Sequence, residues 1–143
     1  MSEHLMNTYA RQPVAFVRGE GAYLWDADGK RYLDGVAGVA VNGLGHAHPK
    51  LVKAIADQAA TLIHTSNLYR VPRQEALADR LCELAGMDRA FFCNSGCEAN
   101  EAAIKFARLR NPGRSKIVAI EESFHGRTFG SLSLTGHEAY RTP

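Results

Sequence analysis

Asn94-Ser95-Gly96-Cys97-Glu98-Ala99-Asn100-Glu101 follows an apolar, strand-like run, Ala90-Phe91-Phe92-Cys93, and opens a helix-like run from Ala102 to Arg110. A strand, a tight Ser-Gly turn and a helix N-terminus together make an anion cradle. The first helical turn leaves backbone N–H groups without partners, and the helix dipole adds partial positive charge at the same end, so a phosphate group is well held there. Gly96 suits a place where backbone approaches an anion closely and a side chain would block it. Taken alone, Ser95, Gly96 and Cys97 would read as an ordinary strand-to-helix turn. Glu98 and Glu101 read as favourable partners of the helix dipole rather than as acids in a reaction.

A second group, Ser123-Phe124-His125-Gly126-Arg127-Thr128, follows another strand-like run, Lys116 to Ile120. An aromatic face beside a phosphate site suits a flat heteroaromatic ring. The nearby guanidinium of Arg127 can grip a carboxylate with two parallel hydrogen bonds. The combination fits pyridoxal phosphate bound to an amino acid. Singly, Phe124 would read as core and Arg127 as a surface ion pair.

In this order the motifs resemble the class III pyridoxal-phosphate aminotransferases, and within them the enzymes acting on acylated ornithine. The resemblance rests on Tyr23-Leu24-Trp25-Asp26 with Asp28-Gly29, Tyr32-Leu33-Asp34, Gly45-His46 with His48-Pro49, the Asn-Ser-Gly turn and Phe-His-Gly-Arg, and so covers nearly the whole chain. It implies that Ser95, Gly96 and Cys97 bind the cofactor phosphate, that Phe124 packs on the pyridine ring and that Arg127 holds the substrate carboxylate. Tyr9 matches a substrate-contacting Tyr of ornithine-type relatives, although an N-terminal position equally suits a mobile segment. Cys97 stands where relatives commonly carry Ala or Thr. Val39 lies where ornithine δ-aminotransferases carry an aromatic residue, a departure that favours an acylated substrate; the resemblance implies 2-oxoglutarate as amino acceptor.

The resemblance also implies a longer chain, with the Schiff-base lysine and the Asp that pairs with the pyridinium nitrogen beyond the equivalent of Pro143. No catalytic residue is then expected in this chain. Gly136 to Pro143 reads as a chain stopped inside a loop, and residues 1–143 alone should show no turnover. Lys30, Lys50, Lys53, Lys105 and Lys116 sit in a hairpin turn, on helices or at a strand start, none placed for a Schiff base. A homodimer is implied too, with residues such as Thr65-Ser66-Asn67-Leu68-Tyr69 facing the partner. Sister aminotransferases of succinylornithine, ornithine or 4-aminobutyrate remain alternatives, as does a non-catalytic phosphate-binding or dimer-forming module.

The elements that must position these residues follow from patterning. Val14 to Val17, Ala22 to Asp26 and Arg31 to Asp34 are β-prone runs, and Asp28-Gly29 between the last two signals a hairpin, so an antiparallel meander is expected. Gly35 to Gly45 reads as a connecting loop lining the site. Helical spacing and Pro49 predict a helix from 49 to about His64. A second runs from about Arg73 to Ala85, with Ala76, Leu77, Leu81, Leu84 and Ala85 inward and Gly86 as its stop. Strand 89–93, helix about 97–110 and strand 116–120 then alternate. The fold class is α/β: the start of a fold-type I large domain with a parallel sheet, preceded by a small meander segment, with residues 1–48 in the small domain and 49–143 opening the large one. Two parallel strands cannot cover both faces, so a larger sheet is implied.

Composition narrows the partners. Seventeen Lys and Arg are scattered against fifteen Asp and Glu, which disfavours nucleic acid and anionic membranes. No apolar run spans a bilayer and no leader pattern opens the chain, so a cytoplasmic protein is expected. At this length a domain buries roughly two-thirds of its unfolded surface. Cys82, Cys93 and Cys97 match no zinc or disulfide framework and read as free thiols, Cys93 buried in its strand and Cys97 with a pKa lowered by the helix N-terminus. His46-Ala47-His48 on a strand would put both rings on one face, but no carboxylate or Cys lies at ligand spacing and no metal is expected. His125 reads as a cofactor neighbour rather than a base.

Overall fold

The computed structural model describes residues 4–141. The chain divides into two compact units, Met1–Leu68 and Tyr69–Pro143.

In the first unit β1 (Phe16–Glu20), β2 (Tyr23–Asp26) and β3 (Arg31–Leu33) form an antiparallel sheet in that order, the meander that the turn signals predict. β1 starts later than the apolar run suggests and continues through Gly19, because Glu20 pairs with Tyr23 across a tight turn. Asp26 shapes the second hairpin. Its Oδ1 accepts the backbone N–H groups of Asp28 and Lys30 at 3.0 and 2.9 Å, and its Oδ2 accepts the Tyr32 hydroxyl at 2.8 Å.

Gly35 to Gly45 is not plain loop. It holds one hydrogen-bonded turn, α1 (Ala37–Ala40), in which Ala37, Gly38, Val39 and Ala40 have φ of 49, 64, 59 and 65°. The turn is left-handed, which costs about 1–2 kcal/mol for each residue bearing a Cβ. Asp34 holds it in place. Its Oδ1 accepts the N–H groups of Val36 and Ala37 at 3.2 and 2.8 Å, while Oδ2 accepts His46 Nε2–H at 2.6 Å. His46 is anchored in turn by paired backbone bonds with Gly21. A Cβ at Gly19 would stand 2.6 Å from His46 Cγ, so β1 leaves room for the imidazole by carrying glycine there.

His46 is therefore a tie between the sheet and the strained turn. His48 is on no strand: it is the N-cap of α2 (Pro49–Thr61), preceded by Ala47 at φ 53°. The same-face reading of the two rings is corrected accordingly, and no cluster of three metal-ligating side chains exists among the described residues. α2 opens on Pro49 as expected but stops before His64, because Leu62 turns extended and its carbonyl accepts Gln58 Nε2 at 2.8 Å.

The second unit contains α3 (Pro72–Ala85), α4 (Gly96–Arg110), α5 (Phe129–Leu134) and a 3-10 turn at Glu138–Tyr140. Gly86 ends α3 in the left-handed conformation at φ 63°, where the missing Cβ removes the penalty. Residues 89–93 and 116–120 are not strands. A strand exists only with a ladder partner, and neither run has one among the described residues. For the same reason Cys93 is exposed rather than buried in a strand.

The expected two-thirds burial is also corrected, since no large apolar side chain is buried among the described residues. Leu77, Leu81 and Leu84, expected to face inward, are open, because no other element among the described residues packs closely on that face of α3. The buried positions among the described residues are Gly126, Ser131 and Thr135. All three lie where α4, the 125–128 loop and α5 meet. No helix among the described residues is long and apolar enough to cross a membrane.

Candidate functional site

α4 begins with a reciprocal cap. Ser95 is extended, and its Oγ accepts the Glu98 N–H at 3.2 Å, while the Glu98 carboxylate accepts the Asn94 N–H at 2.8 Å. This is the Ser-x-x-Glu box shifted so that the glutamate reaches one residue further back. The N–H groups of Gly96 and Cys97 remain in the first turn, where helix geometry provides no acceptor. A Cβ at Gly96 would meet nothing within 4 Å. The space into which a side chain at Gly96 would project is open.

The second motif is brought to this helix by three side chains of α4. Asn100 Nδ2 donates to the His125 carbonyl at 2.6 Å, Cys97 Sγ accepts the Arg127 N–H at 3.4 Å, and Glu101 Oε1 accepts Thr128 Oγ1–H at 2.6 Å. The same Glu101 oxygen accepts the N–H groups of Gly130 and Ser131 at 2.9 and 3.1 Å. Glu101 is thus the cap of α5, not a partner of the α4 dipole, and the earlier reading is corrected. Its second-turn position removes it from the N–H groups of α4 and aims it at those of α5.

From the other side Thr135 accepts the His125 N–H at 3.0 Å and donates to the Gly126 carbonyl at 3.0 Å. Gly126 has φ 129°, and a Cβ there would collide with Cys97 Sγ and lie 2.6 Å from Ser131 Oγ. The loop closes only over glycine.

These contacts set the local electrostatics. The Cys97 thiol is held below its ordinary pKa chiefly by the Arg127 N–H, then by the Thr128 N–H and the Ser131 hydroxyl. The lowering expected from the helix N-terminus therefore comes from the loop. Glu101 is held below the usual carboxylate value by the Thr128 hydroxyl first and the Ser131 N–H next.

Phe124 is 59% exposed and packs edge-on against Tyr140, with ring centroids 5.8 Å apart. Arg127 Cζ lies over both rings, 5.8 Å from Phe124 and 5.1 Å from Tyr140. Ser95, Gly96, Cys97, Phe124 and Arg127 all belong to the second unit, joined through Asn100, Glu101 and Thr135. Tyr9 belongs to the first unit and is exposed. Cys82, Cys93 and Cys97 are free thiols.

The chain carrying this helix N-terminus and loop matches a known family. The family model described as "Aminotransferase class-III" covers residues 5–143, and the chain belongs to that family. It is 60% identical over 138 residues to an acetylornithine aminotransferase of Nitrosomonas europaea, covering 94% of this chain and 35% of that protein. It is 54% identical over 141 residues to an acetylornithine aminotransferase of Archaeoglobus fulgidus, covering 99% and 37%. The chain thus spans little more than a third of the length of these curated relatives.

Among solved structures, the taurine:2-oxoglutarate aminotransferase of Bifidobacterium kashiwanohense, in complex with PLP and glutamate, superposes with a TM-score of 0.90 at 34% identity. It covers 98% of this chain and 32% of that one. The ornithine aminotransferase of Toxoplasma gondii does so with 0.88 at 30% identity, covering 96% and 34%. The α/β class read from the sequence is that of these structures.

Proposed function

We propose that the complete gene product is a pyridoxal-phosphate-dependent aminotransferase that moves the terminal amino group of N-acetylornithine to 2-oxoglutarate, in arginine biosynthesis. One observation carries the reading: the side chains of α4 hold the loop of Phe124 and Arg127 beside the N-terminus of the same helix. The acylated-ornithine relatives and Val39 in place of an aromatic residue support the choice of donor.

The residues present fit the cofactor. Open space where a side chain at Gly96 would project, two first-turn amides and a Ser95 hydroxyl whose proton is not used by its cap suit a dianionic phosphate. Pyridoxal phosphate, when bound, supplies the electron sink and carries the amino group. Ser95, Gly96 and Cys97 take the phosphate, largely through backbone, so the Cys97 side chain is spared for the loop. Phe124 offers its open face to the pyridine ring, and Arg127 grips the carboxylate shared by amino donor and acceptor. Tyr9 is a further substrate contact, assigned on resemblance. The proton-shuttling lysine lies outside these residues, so 1–143 alone is expected to give no turnover.

A homodimer in the cytoplasm completes the proposal. The test is a side-by-side rate measurement of the complete gene product with N-acetylornithine, N-succinylornithine, ornithine and 4-aminobutyrate, each with 2-oxoglutarate. N-acetylornithine should have the highest kcat/KM. A higher value for another amine would move the assignment to that sister activity, and no transfer from any would refute it.

A further inference from the structure

Tyr140 falls in a segment whose sequence reads as an interrupted loop, yet its position is tightly determined. The Gly136 N–H donates to the Ser123 carbonyl at 2.9 Å, and a Cβ at Gly136 would stand 2.5 Å from Glu122 N. The segment is therefore stitched to the residue before Phe124. The 3-10 turn that follows is closed by the Tyr140 N–H to the His137 carbonyl at 3.1 Å, and the His137 ring packs 5.0 Å from the Tyr140 ring. The result is a pair of rings, Phe124 and Tyr140, at 76° to one another with Arg127 Cζ over both.

A guanidinium over an aromatic face is held by the ring quadrupole. Such a contact needs no lone-pair acceptor, so it fixes the cation without itself taking one of the in-plane N–H positions that fork onto a carboxylate. Phe124 cannot serve two partners equally if one of its faces is also given to a cofactor ring. Tyr140 carries the nearer contact and has no such second duty.

We propose that Tyr140 is a positioning residue: its ring holds the Arg127 guanidinium ready for a substrate carboxylate and so sets selectivity for carboxylate-bearing substrates. The inference rests on the reading of Arg127 given under Proposed function. The geometry is particular to the ring, not the hydroxyl, and this makes the role separable from a merely structural one.

The test uses the complete gene product loaded with cofactor and two readouts: the calorimetric Kd of glutarate, a dicarboxylate that cannot react, and KM against kcat for the amino donor. Tyr140→Leu should raise Kd and KM by about 2- to 30-fold, the range of a cation–ring contact, with kcat changed less than about twofold. Tyr140→Phe should restore both, and in an Arg127→Leu background Tyr140→Leu should shift neither further. Tyr140→Gln gives the same comparison if the leucine variant does not accumulate. Equal shifts with and without Arg127, a phenylalanine variant as weak as leucine, or no shift at all would each overturn the proposal. Failure of the underlying reading looks different: the unsubstituted protein itself would then neither bind glutarate nor transfer an amino group, and the proposal would fall with it.

Discussion

Glu101 Oε1 lies 2.6 Å from the Thr128 hydroxyl and takes two further N–H groups from the start of α5. One carboxylate oxygen thus fixes both ends of the short stretch between the Arg127 loop and the helix after it. Because all three donors meet the same oxygen, Glu101→Gln keeps an acceptor in place, whereas Glu101→Ala leaves the N–H groups of Gly130 and Ser131 without one. The alanine variant should lower the thermal midpoint of the complete gene product by about 2–4 °C and the glutamine variant by less. Equal midpoints for the two would contradict the single-acceptor geometry.

The same carboxylate dictates a pH dependence. Its pKa is depressed in the folded chain by the Thr128 hydroxyl and the α5 amides, so the contribution is fully present above the ordinary Glu value of about 4.3 and is lost as pH falls through the folded value. Asp34 behaves alike in the first unit, held down chiefly by His46 and then by the Ala37 N–H. Hydrogen exchange at Ser131, Gly130 and Ala37 should accelerate, relative to neighbouring amides, only below about pH 4. Acceleration on raising the pH instead would reverse the sign and refute both assignments.

Gly126→Ala should destabilise by about 2–4 kcal/mol, since the new methyl meets Cys97 Sγ and Ser131 Oγ and the backbone sits at φ 129°. Adding Cys97→Ala removes the sulfur from that collision and should recover part of the loss. Denaturant unfolding of both variants checks it, and strict additivity would show that the sulfur is not the obstacle.

Val39 is 85% exposed yet stands at φ 59°. Val39→Gly should therefore stabilise: about 1–2 kcal/mol of left-handed strain is relieved against about 0.5–1 kcal/mol of added chain entropy. Most exposed substitutions change little. A loss of stability in urea unfolding would mean that the left-handed turn is not strained.

Arg127→Lys keeps the charge and loses the fork. It should raise KM for the amino donor and for 2-oxoglutarate by about tenfold or more while changing the cofactor Kd by less than about twofold. A parallel loss of cofactor affinity would place Arg127 on the phosphate instead.

Local rules made much of the helical structure legible. Pro49, Gly86 and the Ser95 cap each act within a few residues, and the helix ends they set lie within a residue or so of where spacing put them. α5 was invisible for the opposite reason. Phe129-Gly130-Ser131-Leu132-Ser133-Leu134 has weak helix propensity and no cap of its own, and its acceptor arrives from Glu101 on another helix. Only a polar residue in the second turn of α4, next to Asn100, hinted at such a partner.

The strand-like runs 89–93 and 116–120 read correctly as apolar, but strand pairing is a property of neighbours that local patterning does not contain. Left-handed Ala37 to Ala40 escaped for a similar reason, since only Gly38 among them prefers that conformation and Asp34 with His46 imposes it on the rest. Phe124 and Arg127 share one short motif in the sequence, and the structure places both on the loop that α4 holds. Tyr140 was not legible, because nothing in its spacing shows that Gly136 folds back onto Ser123.

The cofactor affinity of Gly96→Ala in the complete gene product tests the phosphate cradle most directly. The added methyl meets nothing within 4 Å in the chain, and alanine is the better helix former, so the apoprotein should be as stable as before or more so. If a phosphate fills that space, the Kd of pyridoxal phosphate should rise by about tenfold or more. An unchanged Kd in an equally stable protein would contradict the assignment of that space to the phosphate.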